Sequence, residues 1–188
     1  MINIARGIGM SPYIARTGFP YIAPRDFPDV KPPTIKKSIL GVDPGINGGL
    51  CFFTPQGIYP YKMPTYSQKR STRTMRFVDA KACEVLIRRH APTTCYFENV
   101  FSMPGDTPMT AFSLGNSKGR LEAVLELCDV PIIPVSASVW KAKMGVTADK
   151  ATSRKLAEKL MPHITFPTTD TCEAALIALY SILYSSSS

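Results

Sequence analysis

The chain has 188 residues, enough for one domain with a sizeable core and not for several. Its formal charge of +8 and isoelectric point near 9.3 point to an anionic partner such as nucleic acid, with a merely basic soluble protein as the alternative. No apolar run approaches the roughly 18 residues of a membrane helix. The scattered cysteines Cys51, Cys83, Cys95, Cys128 and Cys172 form neither a CxxC pair nor a zinc spacing, so the chain reads as cytoplasmic with reduced thiols.

Residues 1–37 carry Pro12, Pro20, Pro24, Pro28, Pro32 and Pro33, and their basic residues outnumber Asp26 and Asp29. So many prolines disfavour helix and central strand alike, which predicts an extended or disordered basic arm. An arginine-bearing, acid-poor start also resembles an organellar targeting peptide, although its scarce serine and many prolines argue against that. From residue 38 to 184 the pattern is that of a folded domain, and 185–188 is a serine tail.

The domain opens on short β-like runs at 39–43, 49–53 and 57–61, the first pair joined by a glycine turn. A basic loop follows, with Lys62, Lys69, Arg70, Arg73 and Arg76 set among tyrosines. Apolar spacing predicts a helix from about Asp79 to Arg89. A strand at 94–98, a loop at 100–109 and a long helix from about Thr110 to Cys128 come next. Pro131–Val135 reads as a short buried strand, and helices are expected over about 149–161 and 170–184. Strands that come first in a row and then alternate with helices imply an α/β sheet with helices on its faces.

Asp43 ends the first of these strands and Glu98 ends another, while Asp170 and Glu173 share one face of the last helix by their i, i+3 spacing. Buried carboxylates need a positive partner, and four from three elements can converge on a cation. Oxygen ligands of this kind suit Mg²⁺ or Mn²⁺. Two such ions about 3.5–4 Å apart would serve phosphodiester cleavage. Simpler readings stand beside each of these. Asp170-x-x-Glu173 fits a capping box, Glu98 a surface acid at a strand end, and Asp43-Pro-Gly an Asx turn.

The ordered set Ile39-Leu-Gly-Val-Asp43-Pro-Gly-Ile-Asn-Gly-Gly49, Phe97-Glu98-Asn99-Val100-Phe101, Leu114-Gly-Asn-Ser-Lys-Gly-Arg120, Val139-Trp-Lys141, Asp149-Lys150 and Thr169-Asp170-Thr-Cys-Glu173-Ala-Ala-Leu-Ile-Ala-Leu-Tyr180 closely resembles the RuvC family of Holliday junction resolvases, of bacterial or bacteriophage type. The resemblance implies an RNase H-like fold, a mixed five-stranded sheet flanked by helices. It implies that Asp43, Glu98, Asp170 and Glu173 hold the ions, with Asp43 touching both; the family usually has aspartate in the last place, so Glu173 is a departure. It further implies that Lys141 and Lys150 face the scissile phosphate or nearby backbone and that Phe101 enters among bases at the crossover. Lys118 and Arg120 would lie on a helix that contributes to a homodimer interface and borders the DNA. Trp140 reads as a packing anchor.

The expected activity is paired, metal-dependent nicking of four-way DNA junctions, with a branch-migration motor as a conceivable partner. Lys69, Arg70, Arg73, Arg76 and the arm would hold phosphates, and the glycines after Asp43 would keep bulk away from the DNA backbone. The rivals are another RNase H-like nuclease acting on branched DNA or RNA–DNA hybrids, a phosphate-gripping domain of the actin-like ATPase and sugar-kinase type, and a junction-binding module without catalysis.

Overall fold

Strand β1 (Ile39–Asp43) sends Leu40 and Val42 to one side of the sheet and Gly41 to the other. Strand β2 (Gly49–Thr54) does the same with Leu50 and Phe52 against Cys51 and Phe53. Both faces are covered, so these strands read as continuous apolar runs. The computed structural model describes residues 35–70 and 73–184; the expected arm, apart from its last three residues, and the tail lie outside them. Among the described residues no helix is long and apolar enough to cross a membrane.

Five strands form one mixed sheet in the order β3-β2-β1-β6-β7, with β3 at Gly57–Lys62, β6 at Thr94–Glu98 and β7 at Ile132–Val135. β1 runs antiparallel to β2 and parallel to β6, and β6 runs parallel to β7. One face is covered by α1 (Ala80–His90) and α2 (Pro108–Leu127), whose Ile87, Leu121 and Leu125 pack on Leu40, Val42 and Phe52. The other face takes α3 (Ala137–Met144), α4 (Lys150–Leu160) and α5 (Thr169–Tyr184). Helix α5 is buried along most of its length, from Thr171 to Leu179, as expected of a helix that is apolar all round.

Small residues let α5 lie directly on the sheet. A Cβ on Gly41 would come 2.1 Å from the Ala174 carbonyl oxygen and 2.9 Å from the Ala178 Cβ. One on Gly49 would come 2.9 Å from the Thr171 Cα. Gly48 is needed too, since its Cβ would strike the Asp43 carbonyl oxygen at 2.0 Å. These glycines serve close packing within the chain, which corrects the expectation that they clear space for DNA; only Gly45 in that turn faces open space.

Three further expectations change. The basic loop is a β-hairpin, β4 (Thr65–Arg70) with β5 (Arg73–Val78), in register from Thr65↔Val78 to Arg70↔Arg73. Most of its described side chains are exposed and only Phe77 and Val78 are buried, so it has no apolar alternation to betray it. The strand at Pro131–Val135 is not buried: it is the sheet edge, with Ile133 and Pro134 exposed, a place where proline's missing N–H does no harm. Helix α3 was not expected. Ile35, just ahead of β1, packs against the core on the α5 side. All five cysteines are free, and all but Cys128 are buried.

Candidate active site

Alternation decides which way the strand-end acids point. Val42 and Phe97 are register partners on the α1/α2 face, so Asp43 and Glu98, one residue on, turn to the face that α5 covers. Both carboxylates are buried, as is Glu173. The first turn of α5 starts at this same end of the sheet because Gly49 admits Thr171 so closely. Its N-terminus is capped by Thr168 and Thr171, each backbone N–H bonding the other's hydroxyl at 3.1 and 3.2 Å. The capping-box reading of Asp170 and Glu173 therefore falls, and both carboxylates are left for other work.

Oxygens of Asp43, Asp170 and Glu173 lie within 4.8 Å of one another. Glu98 stands just outside that triad, near enough for its charge to act on Asp43, and its Oε1 accepts a 2.9 Å bond from the Trp140 indole N–H. Glu173 Oε1 forms an ion pair with Lys141 Nζ and accepts a hydrogen bond from Ser153 Oγ, each at 3.0 Å. Lys150 Nζ donates to Asp170 Oδ1 and lies 3.9 Å from Glu173 Oε2. Asp149 starts α4 by accepting from the Ala151 N–H at 2.9 Å, which sets Lys150 and Ser153 on one face of its first turn.

Burial, then the charges of Glu98 and Glu173 and more weakly Asp170, hold the Asp43 carboxyl well above the ordinary carboxylate range, and Lys150 only partly offsets them. Burial works against the Lys150 ammonium, yet the hydrogen bond and charge of Asp170, with the charges of Asp43 and Glu173, more than compensate and raise its pKa. Four carboxylates against two ammonium groups leave the cluster short of positive charge. The donor set is all oxygen, so it fits Mg²⁺ or Mn²⁺, with Asp43, Asp170, Glu173 and Glu98 as the residues that would hold the metal. A cleft of about 420 Å³ opens over Asp43 and Asp170, bounded by the Pro44–Gly48 turn, Lys150, and Met109, Ser113 and Ser117 of α2.

No family model and no curated protein matches the chain in sequence. Thermus thermophilus RuvC in complex with a Holliday junction substrate matches with a TM-score of 0.58 at 14% identity, over 80% of this chain and 95% of that one. The fold is that of RuvC. A second Thermus thermophilus RuvC structure agrees, with a TM-score of 0.53 at 14% identity over 79% of this chain and 95% of that one. The yeast mitochondrial Holliday junction resolvase Ydc2 aligns at a TM-score of 0.45 and 12% identity, over 84% and 83% of the two chains, and adds nothing to the fold assignment.

On this RuvC fold the expected DNA-contacting residues divide into two groups. Phe101 is 66% exposed, not packed on the sheet edge, and Lys118 Nζ sits 5.1 Å from its ring centre while bonding Asn99 Oδ1 at 3.3 Å. Lys69 and Arg73 are exposed on the hairpin, and Arg70 ends β4 between them. Arg76 and Arg120 are engaged within the chain. Arg76 ties the hairpin to the turn after Asp43, bonding Asn47 Oδ1 at 3.1 Å and the Ile46 carbonyl at 3.0 Å. Arg120 joins α2 to the hairpin through the Val78 carbonyl at 3.3 Å and lies over the rings of Tyr66 and Phe77. Sequence reasoning missed Ser153, which sits three residues after Lys150, and took Trp140 for packing alone, although Trp140 directly precedes Lys141.

Proposed function

We propose that this chain is a homodimeric, divalent-metal-dependent endonuclease that resolves four-way DNA junctions by paired nicks. The gathering of Asp43, Glu98, Asp170 and Glu173 at one end of a RuvC-type sheet, beside an open cleft, carries this reading. Acids packed this closely next to a polyanionic substrate repel it unless cations intervene. Two Mg²⁺ or Mn²⁺ ions, when bound, would supply an activated water and stabilisation of the leaving oxygen.

The chain's own groups have separate tasks. Lys150, with a side chain 58% exposed, is free at its outer side to meet phosphate oxygens; Lys141, only 20% exposed, holds Glu173 in place. Phe101 offers a stacking face for an unpaired base, with the Lys118 ammonium beside it. Lys69, Arg70 and Arg73 grip the backbone of a junction arm, and Arg76 and Arg120 keep the hairpin that carries them in position. The basic residues of 1–37 extend the same contact, in a cytoplasmic protein. A two-fold dimer matches a substrate with two equivalent strands to cut.

Cleavage of a synthetic four-way junction in Mg²⁺, beside a flap and an RNA–DNA hybrid, tests the reading. Symmetric paired nicks that vanish with EDTA and in Asp43→Asn are expected. Undiminished cutting by Asp43→Asn or Glu98→Gln would overturn the site, and preference for the flap or hybrid would overturn the substrate. Sedimentation as a monomer with junction DNA present would remove the dimer.

A further inference from the structure

One short helix handles two of the four carboxylates. Trp140 gives its N–H to Glu98 Oε1 at 2.9 Å, and the next residue, Lys141, reaches Glu173 Oε1 at 3.0 Å. The indole has one donor and no acceptor, so this bond has a single direction. Trp140 is fully buried, in the cluster that holds Met144, Val146 and Phe166, so its ring is packed on all sides. Glu98 is pinned from the same stretch of chain at its backbone: it pairs with Val135 across the sheet, and the Asn99 N–H bonds the Val135 carbonyl at 2.8 Å. A backbone carbonyl would satisfy a buried indole as well. Setting it on a buried carboxylate keeps a costly charge out of water, which makes sense where that carboxylate has further work.

We propose that Trp140 is a positioning residue: its indole N–H occupies Glu98 Oε1 and so turns the other oxygen, Oε2, toward a divalent cation, while Lys141 orients Glu173 from the same helix. This rests on the metal-nuclease reading above and assigns the helix Ala137–Met144 its part in that site. Hydrogen-bond partners of ligating groups commonly govern metal affinity by about 10–100-fold.

Trp140 is the only tryptophan, so growth on benzothienylalanine replaces N–H by sulfur at this one place and keeps the ring. Calorimetry of Mn²⁺ binding to the full, DNA-free chain is expected to show affinity about 10–100-fold weaker in the analogue, whose metal-free form still unfolds in one cooperative transition, at a lower temperature because buried Glu98 has lost a donor. In the native protein the indole ¹⁵N–¹H resonance should move saturably with Mg²⁺. Equal Mn²⁺ affinity of native and analogue protein, or an indole resonance that ignores saturating Mg²⁺, would overturn the positioning role and leave the nuclease reading standing. A native chain that binds neither ion would overturn both. If the analogue does not fold, the native resonance decides alone.

Discussion

The two faces of the central sheet are built on opposite plans. Under α1 and α2, large side chains such as Leu40, Phe52, Ile87 and Leu121 separate the layers. Under α5, Gly41, Gly49, Ala174 and Ala178 bring helix and sheet backbones nearly into contact. The first plan maximises apolar burial. The second gives up side-chain volume for reach, and it is the one that carries Asp170 and Glu173 to Asp43. The residues proposed to hold substrate sit with the first layer, in the hairpin and α2, and meet the acids only at the end of the sheet, where α2 borders the cleft over Asp43 and Asp170.

The largest expected effect lies at the chemistry. Asp43→Asn should lower the rate of junction cutting by at least about 10²–10³-fold, the scale of one lost electrostatic contact in a transition state, measured under single-turnover conditions. The same change should stabilise the metal-free protein. Burial and the neighbouring carboxylates raise the folded-state pKa of Asp43, so its contribution is full below the unfolded value of about 3.9 and is lost as pH rises through the raised one. Thermal unfolding in EDTA at about pH 5 and about pH 8 should show the wild type falling further behind the variant at the higher pH.

One-carbon changes then set the faces against each other. Gly41→Ala adds a methyl group where 2.1 Å is available, and should cost about 3 kcal/mol in urea unfolding together with most of the cleavage, because α5 must lift. Ile87→Val removes a methyl group on the other face and should cost only about 0.5–1.5 kcal/mol, with cutting intact. Equal activity losses from the two would break the contrast. The smallest effect on the fold belongs to the exposed pair Lys69→Ala with Arg73→Ala, within about 0.5 kcal/mol. Junction affinity measured against salt should nevertheless lose about 2 from its logarithmic slope, and the cutting rate at saturating DNA should hold.

What could be read from the residues follows the same division. β1, β2, β6 and α5 announce themselves because burial on both faces leaves long apolar runs, and the acids at their ends stand out against them. The hairpin does not, since contacts from Arg76 and Arg120 fix it in place of an apolar face of its own. Helix α3 has only Trp140 and Met144 to bury, too short a stripe to declare a period. The four acids were legible as a group; that Glu98 accepts an indole N–H was not, because the donor comes from a helix without a signal.

The intimate seat of α5 on the sheet also has an evolutionary side. Gly41, Ala174 and Ala178 form a line running away from the acids, well inside the protein, where no substrate reaches. A saturation-mutagenesis survey scored by resolvase activity should therefore find some of its least forgiving positions along this line, while the exposed hairpin tolerates broad change. Such a map would look as though it marked a second site, when what it records is a tolerance between two backbones.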